Sequence, residues 1–173
     1  LQDSLNYTEP PDWSQSIRLY LGAALLEAGR AAEAEAAVAA FETRLDALRD
    51  EVEARPRAAI YHANGYTSGD RTLAGEIIAL AGFDNIAAEA GYPMGGVMPL
   101  EILAMADPDI VISGQPYPGA SRSEEILGHP VVRALRDTAV GAVLTDRDWV
   151  CGTPQVLNAI EEMRDIRRRM EAE

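Results

Sequence analysis

The chain has 173 residues, of which 28 are acidic and 15 are basic, so its formal net charge is -13 at pH 7. A chain of this length can bury one substantial hydrophobic core, and its content of 47% hydrophobic and 25% charged residues is that of an ordinary globular protein. The negative charge argues against a nucleic-acid partner and against anionic membrane surfaces, because both carry phosphate. No run approaches the roughly 18 consecutive apolar residues that a membrane-spanning helix needs.

The first third of the chain is predicted to be helical. Residues 14–28 predict a short helix with Ser14 as its N-cap, and Gly29 interrupts it. In residues 30–54, apolar side chains recur at spacings of three and four, which predicts one long amphipathic helix that ends before Pro56. Its apolar stripe would span roughly 33 Å, which is long enough to bridge two lobes.

After Pro56, the sequence alternates between strands and helices. Short apolar segments predict strands at residues 58–62, 85–88, 109–113 and 142–146. Helical patterns are found at residues 72–81, 99–106, 123–127, 130–136 and 153–170. Strands that alternate with helices form parallel sheets through right-handed crossovers. The predicted fold class is therefore an α/β three-layer sandwich with a parallel sheet of about four strands, preceded by the long helix.

Candidate ligand contacts lie on the loops that follow the predicted strands, because open parallel sheets bind ligands at the carboxyl ends of their strands. Loops at residues 63–70, 115–120 and 147–149 each carry an aromatic residue, which indicates a flat or bulky ligand. A glycine- and proline-rich loop at residues 91–97 adds further candidates. The candidate ligand-binding residues are His62, Asn64, Tyr66, Tyr92, Met94, Tyr117, Arg147 and Trp149. Among them, Arg147 is the cation expected to contact an anionic ligand.

The sequence patterns of common enzymes are missing. The chain has no lysine and hence no phosphate-binding loop, and it also lacks G-x-G-x-x-G after a strand and the G-x-S-x-G elbow. A zinc site made of protein side chains needs three or four ligands, whereas the chain has two histidines and one cysteine. His129 precedes Pro130 at a predicted helix start, where a capping or packing role is expected. We predict a binding protein without catalytic residues, a metal site or a cofactor other than its ligand.

Several short motifs, each weak alone, occur in a fairly specific order. They are AGFDNI (residues 81–86), PLEIL (99–103), DPDIVI (107–112), HP (129–130) and WVCGTP (149–154). This order resembles the periplasmic binding proteins of iron-siderophore, haem and cobalamin ABC importers, in which two α/β lobes are joined by one long helix. NGYTSG (residues 64–69) is similar to the cleft loop of the siderophore and corrinoid branch.

The resemblance implies a division of the chain and a function. Residues 1–29 would be the tail of an amino-terminal lobe, residues 30–55 the inter-lobe helix, and residues 56–173 the carboxy-terminal ligand-binding lobe. We expect the chain to be a fragment that lacks the other lobe and an export signal. The whole protein would be a periplasmic monomer that captures a ferric siderophore, cobalamin or haem between its lobes. It would deliver that metal chelate to an ABC permease in the inner membrane, and Glu101 would pair with permease arginines.

Two other functions remain open at this point. One is an enzyme or metallocofactor assembly factor on the same scaffold, which would need histidine or cysteine clusters from the absent lobe. The other is a cytoplasmic interaction domain that uses the long helix as a docking surface. An export signal in the complete reading frame would distinguish the importer from both.

Overall fold

A four-stranded parallel sheet organises the molecule. The computed structural model describes residues 13–27, 29–114, 122–138, 142–144 and 146–172. The strands are β1 (Arg57–Ile60), β2 (Tyr66–Thr67), β3 (Asp84–Asn85), β4 (Gly96–Val97), β5 (Ile110–Gly114) and β6 (Ala142–Leu144). The sheet has the order β3-β1-β5-β6, and all of its neighbouring pairs are parallel. The predicted parallel sheet of about four strands is thus confirmed.

Helices cover both faces of this sheet. They are α1 (Trp13–Glu27), α2 (Ala31–Leu48), α3 (Leu73–Leu80), α4 (Ile86–Glu89), α5 (Leu100–Ala106), α6 (Pro130–Thr138), α7 (Asp146–Val150) and α8 (Val156–Glu171). In β1, Ala58 and Ile60 join a core cluster with α2, α3, α7 and α8. Ala59 and Tyr61, which point the other way, join a second cluster with α4, α5 and α6. The three-layer sandwich predicted from the sequence is therefore confirmed.

Helix α2 is shorter than its apolar pattern predicted. The pattern continues to residue 54, but the helix ends at Leu48, and Arg49 is already extended with φ -76° and ψ 117°. The next residue, Asp50, accepts hydrogen bonds from Arg167 at 2.7 Å and from Arg168 at 3.1 Å, both on α8. These contacts hold the chain against α8 on its way to β1. That α2 joins two lobes stays a prediction.

Three local differences concern the second half of the chain. The predicted strand at residues 85–88 is a strand only at Asp84–Asn85, and Ile86–Glu89 forms a helical turn that the Asn85 side chain caps by accepting from the Ala87 amide. A short antiparallel pair, β2 with β4, replaces part of two predicted loops. Helix α7 occupies residues that were predicted to be strand end and loop.

Most other elements agree with the prediction to within a few residues. Helix α8 begins at Val156, three residues after the start of the predicted range, and it buries Val156, Ile160, Met163 and Ile166 among others. Two 3₁₀ segments, Ala63–Gly65 and Arg122–Gly128, flank the carboxyl edge of the sheet. Among the described helices, none combines the length and apolarity needed to cross a membrane.

Candidate functional site

A two-stranded ribbon stands at the carboxyl edge of the sheet, directly after β1. It consists of β2, β4 and the turn at residues 92–95, and we call it the edge ribbon. Its strands are antiparallel, with Tyr66 opposite Val97 and Thr67 opposite Gly96. In the chain, β1 precedes β2 and β3 precedes β4, and β1 and β3 are neighbours at one side of the sheet. The ribbon therefore lies toward that side of the edge.

The edge ribbon exposes large apolar side chains. Tyr66 is 48% exposed, Met94 62% and Val97 63%. Tyr66 and Val97 are paired across the two strands, so their side chains are close neighbours. Tyr66 and Val97 therefore form one apolar patch at the edge where α/β sheets bind ligands, and Met94 is exposed on the turn of the same ribbon.

Hydrogen bonds fix the base of this ribbon to the sheet. The Thr67 hydroxyl donates to the Ile60 carbonyl at 2.6 Å, and the His62 amide donates to the Tyr66 carbonyl at 2.8 Å. The buried Tyr61 hydroxyl donates to the Met98 carbonyl at 3.3 Å. Burial raises the pKa of the Tyr61 phenol, and the nearby Glu101 carboxylate raises it further, so the phenol keeps its proton and remains a donor.

Glycines allow backbone segments of the ribbon to approach each other closely. A Cβ at Gly69 would lie 2.0 Å from the Tyr92 carbonyl oxygen, and a Cβ at Gly95 would lie 2.6 Å from the Thr67 carbonyl oxygen. Backbone atoms cannot rotate away from such contacts as a side chain can. A residue with a side chain would therefore not fit at either position without a shift of the ribbon backbone.

Five of the predicted site residues gather around this ribbon. Asn64 is exposed and adopts φ 57°, a left-handed conformation that asparagine tolerates better than most residues. His62 is half-buried, and a Cβ at Gly114 would lie 3.8 Å from its Nδ1, so its ring is next to the end of β5. Tyr92 is half-buried and packs against the second core cluster. Together with Tyr66 and Met94, these residues occupy one edge, as predicted.

Trp149 requires a correction. It was predicted on a loop at the cleft edge, but it lies in α7 and is only 4% exposed. Its ring belongs to the core cluster that contains Ile77 of α3 and Ile160 of α8. Helix α7 turns this side chain inward, so the indole offers no surface to a ligand.

Arg147 and Tyr117 are not placed beside the ribbon. Arg147 lies in α7, its side chain is 82% exposed, and its Nε is 3.5 Å from a carboxylate oxygen of Asp148. Helix α7 follows β6, which is two strand spacings, or about 10 Å, from β1. Tyr117 falls outside the described residues.

Glu101 is exposed in the first turn of α5, four residues after Val97. Its helix begins after Pro99, and its carboxylate suits the positive end of the helix dipole. The expected capping role of His129 is confirmed, because its Nδ1 accepts a hydrogen bond from the Val131 amide at 3.2 Å. In the described part of the chain, no three histidine, cysteine or acidic side chains are grouped as metal ligands would be.

Val97 was absent from the candidates that we drew from the sequence. Its signal was the Gly95–Gly96 pair, since two consecutive glycines often mark a turn that leads into a strand. Both glycines have positive φ, 86° and 149°. The neighbour across the pair, Tyr66, was predicted, but a pairing between residues so far apart in sequence cannot be read from a local pattern.

Comparison with known proteins shows which family the chain matches. The family model described as periplasmic binding protein matches residues 23–147. The curated cobalamin-binding protein of Halobacterium salinarum is 36% identical over 94 residues, which cover 50% of this chain and 25% of that protein. The chain thus matches about a quarter of the length of this curated relative.

Solved structures share the fold at lower identity. The periplasmic heme-binding protein RhuT from Roseiflexus sp. RS-1, in apo form, is 20% identical with a TM-score of 0.73, and the match covers 88% of this chain and 64% of that one. The periplasmic vitamin B12 binding protein BtuF of Vibrio cholerae is 18% identical with a TM-score of 0.72, covering 92% and 63%. With the family model matching well over half of its length, the chain belongs to the periplasmic binding protein family.

Proposed function

We propose that this chain is part of the solute-binding component of an ABC importer that captures a metal chelate, namely a ferric siderophore, cobalamin or haem. It would carry one wall of the binding cleft, the edge ribbon, with Tyr66, Met94 and Val97 as the contact surface. Asn64, His62 and Tyr92 would border that surface. The family membership supports a binding role, and the cobalamin-binding and heme-binding proteins that the chain resembles support the class of ligand.

The observation that carries this proposal is the exposure of apolar side chains on a ribbon that is hydrogen-bonded to the sheet. Tyr66, Met94 and Val97 are about half exposed or more, although the ribbon beneath them is hydrogen-bonded to the sheet. Exposed large apolar side chains grouped at one place mark interaction sites. A flat macrocycle or an aromatic chelating group could cover these three side chains at once and remove them from water.

Delivery to a permease and location in the periplasm complete the proposal. The cleft would close against a second lobe, which α2 would connect, and Glu101 would face arginines of the permease. A charge-assisted pair of this kind gives orientation and encounter rate. The protein would act as a monomer. An export signal upstream in the complete reading frame would support the location, and its absence there would contradict it.

Binding measurements on the protein from the complete reading frame test the proposal. Cyanocobalamin, hemin and a ferric hydroxamate siderophore are titrated separately, and binding is followed by calorimetry. We expect one of the three to bind with submicromolar Kd. Tyr66→Ala should weaken that binding by about 1–3 kcal/mol, or roughly 5- to 150-fold. The thermal midpoint should hardly move, since exposed side chains contribute little to folding.

Tyr20→Ala is the matched control. Tyr20 is also an exposed tyrosine, at 75%, but it lies on α1 rather than at the carboxyl edge of the sheet. Its loss should leave affinity unchanged. Equal losses in both variants, or no binding of any of the three chelates, would overturn the proposal. The 173-residue chain alone should bind weakly, because the proposed cleft needs a second wall from another lobe. Submicromolar binding by this chain would contradict the need for a second wall.

A further inference from the structure

We propose, on the basis of the function proposed above, that Asn85 is a positioning residue of the ligand site. Its side-chain amide would hold the two halves of the edge ribbon in their relative places, so that ligand affinity depends on it. It would act through the neighbouring backbone rather than by contact with the ligand. Asn85 lies at the end of β3, is 8% exposed, and was not a candidate from the sequence.

The segment that leaves β2 is the first that Asn85 holds. Its Nδ2 donates to the Ser68 carbonyl at 2.9 Å, and Ser68 follows directly after Thr67 of β2. The next residue, Gly69, lies against the turn of the ribbon, since a Cβ there would be 2.0 Å from the Tyr92 carbonyl oxygen. The hydrogen bond from Asn85 therefore fixes the backbone at the place where β2 ends and the turn approaches.

The segment that leads to β4 is the second. The Asn85 Oδ1 accepts from the Ala87 amide at 3.0 Å, which caps the single turn of α4. The Ala87 carbonyl in turn accepts from the Tyr92 amide at 2.8 Å, at the start of the turn that carries Met94. Asn85 is thus linked through one backbone residue to the turn that enters β4.

The two contacts require different chemistry from one side chain. The Ser68 carbonyl needs a donor and the Ala87 amide needs an acceptor, and an asparagine amide supplies both. An aspartate carboxylate supplies acceptors alone, and it would place a negative oxygen against the Ser68 carbonyl. A serine hydroxyl can still cap α4, but it ends one bond earlier than the asparagine amide and cannot keep both contacts.

Loss of the donor should change ligand affinity through the fraction of molecules in which the ribbon is correctly placed. Tyr66 and Val97 are neighbours only while β2 and β4 are paired. The apparent Kd of a ligand that needs this pairing rises as the paired fraction falls. Since one hydrogen bond typically changes an equilibrium by about 2- to 12-fold, a weakening of that size is expected.

Two variants of the protein from the complete reading frame test the inference, with cyanocobalamin, hemin and a ferric hydroxamate siderophore as separate probes. Asn85→Asp keeps the cap acceptor and removes the donor, and Asn85→Ser does so without adding charge. For the probe that binds the unmodified protein, calorimetry should show a Kd raised by about 2- to 12-fold in both variants. In the Tyr66→Ala background the same substitutions should raise Kd less, because one of the contacts that they misplace is already gone.

Hydrogen exchange without ligand separates local positioning from a general loss of stability. In both variants, the Tyr92 amide and the Arg71 amide, which donates to the Pro93 carbonyl at 2.9 Å, should exchange faster. The increase should be about 2- to 12-fold relative to the Tyr61 amide, which donates to the Ile112 carbonyl inside the sheet. Equal acceleration of all three amides would indicate a general loss of stability and would overturn the inference.

Asn158→Ser is the matched control. Asn158 also makes two side-chain hydrogen bonds, because it accepts from Arg44 at 2.9 Å and donates to Asp148 at 3.3 Å, but it lies on α8. Its loss should leave Kd and the exchange of the Tyr92 amide unchanged. An unchanged Kd in both Asn85 variants, or an equal rise in Asn158→Ser, would overturn the inference and leave the proposed function standing. No binding of any probe by the unmodified protein would overturn the proposed function, and the inference with it.

Discussion

Trp149 contributes to the folded core. The ring is 4% exposed and lies among core side chains of α3 and α8. Truncation of such a ring leaves a large cavity, so Trp149→Ala should lower the free energy of unfolding by about 3–5 kcal/mol, as measured by chemical denaturation. Trp149→Phe should cost less, partly because the indole Nε1 has no hydrogen-bond partner in the described part of the chain.

Val150→Ala is the control for this prediction. Val150 is the next residue in α7 but is 73% exposed, so its loss should change stability by less than about 0.5 kcal/mol. If Trp149→Ala instead keeps its stability and loses only ligand affinity, the indole contacts ligand and its place in the core is wrong.

Glu162 predicts a dependence of stability on pH. Its pKa is raised above the usual value of a glutamate, first by burial and then by the neighbouring Asp148 carboxylate, while Arg169 opposes the shift. The folded protein therefore binds the proton of this carboxyl group more tightly than the unfolded chain does. The free energy of unfolding decreases as pH rises through the folded-state pKa and the side chain ionises. Glu162→Gln removes this cost and should raise the thermal midpoint at pH 7.

The gain from Glu162→Gln should be below about 1 kcal/mol, because the side chain is largely solvated. It should vanish near pH 3, where the glutamate is protonated in both states. Glu161→Gln is the neighbouring control, and it should lose stability at pH 7, since Glu161 pairs with Arg44 at 2.7 Å. An equal gain at pH 3 and pH 7 would contradict the titration argument.

Arg167 joins three elements of the fold. Its guanidinium is 4% exposed and donates to the Ala81 carbonyl after α3, to Asp50 after α2 and to Glu171 within α8. Loss of one partner from a buried ion pair leaves the other charge unmatched. Arg167→Met should therefore lower the free energy of unfolding toward the lower end of about 3–5 kcal/mol, measured by chemical denaturation, because Arg168 still reaches Asp50.

The matched control is Arg168→Met. Arg168 contacts the same carboxylate at 3.1 Å, but its side chain is 51% exposed, so its loss should cost less than about 1 kcal/mol. Similar losses in the two variants would show that the contact with Asp50, rather than the burial of Arg167, controls stability.

The contact between Asp50 and Arg167 also bears on why the apolar pattern predicted the end of α2 too late. An apolar stripe predicts that a helix forms and which face it buries, and it did so for α2, but it does not contain the contact between Asp50 and Arg167, which are 117 residues apart. Helix α7 has five residues, too few to show a period. In contrast, β1 and β5 are continuous apolar runs because both faces of the sheet are covered, and they were predicted to within a few residues.

The candidate site was predictable where it depends on the strand order alone. His62, Asn64 and Tyr66 follow β1 directly, and a parallel sheet places such residues at its ligand-binding edge. The place of Val97 beside Tyr66 depends on pairing between distant segments, which no local pattern contains. Trp149 was placed wrongly because the turn after β6 continues into a helix instead of a loop.

Part of the proposed ligand surface and the proposed docking residue lie on one continuous stretch of chain. Val97 ends β4, the Met98 carbonyl receives the Tyr61 hydroxyl, and Glu101 stands in the first turn of α5. The ligand wall and the docking carboxylate are therefore held to the same sheet. If both proposals are right, a permease that binds Glu101 also contacts the segment that supports the ligand.

Glu101 tests the transport proposal as a whole. An exposed carboxylate contributes little to folding, so Glu101→Ala should change stability by less than about 1 kcal/mol and leave ligand affinity unchanged. Docked against a permease arginine it would be partly desolvated, and its loss would leave that arginine unpaired, so ligand uptake by cells should fall. Glu101→Arg should reduce uptake further because it sets like charges against each other, and a charge exchange across the interface should partly restore it. Glu53→Arg, which makes the same change at another exposed glutamate, should leave uptake normal. Normal uptake by the Glu101→Arg protein at native expression level would remove the docking role and leave Glu101 as a carboxylate that only stabilises the start of its helix.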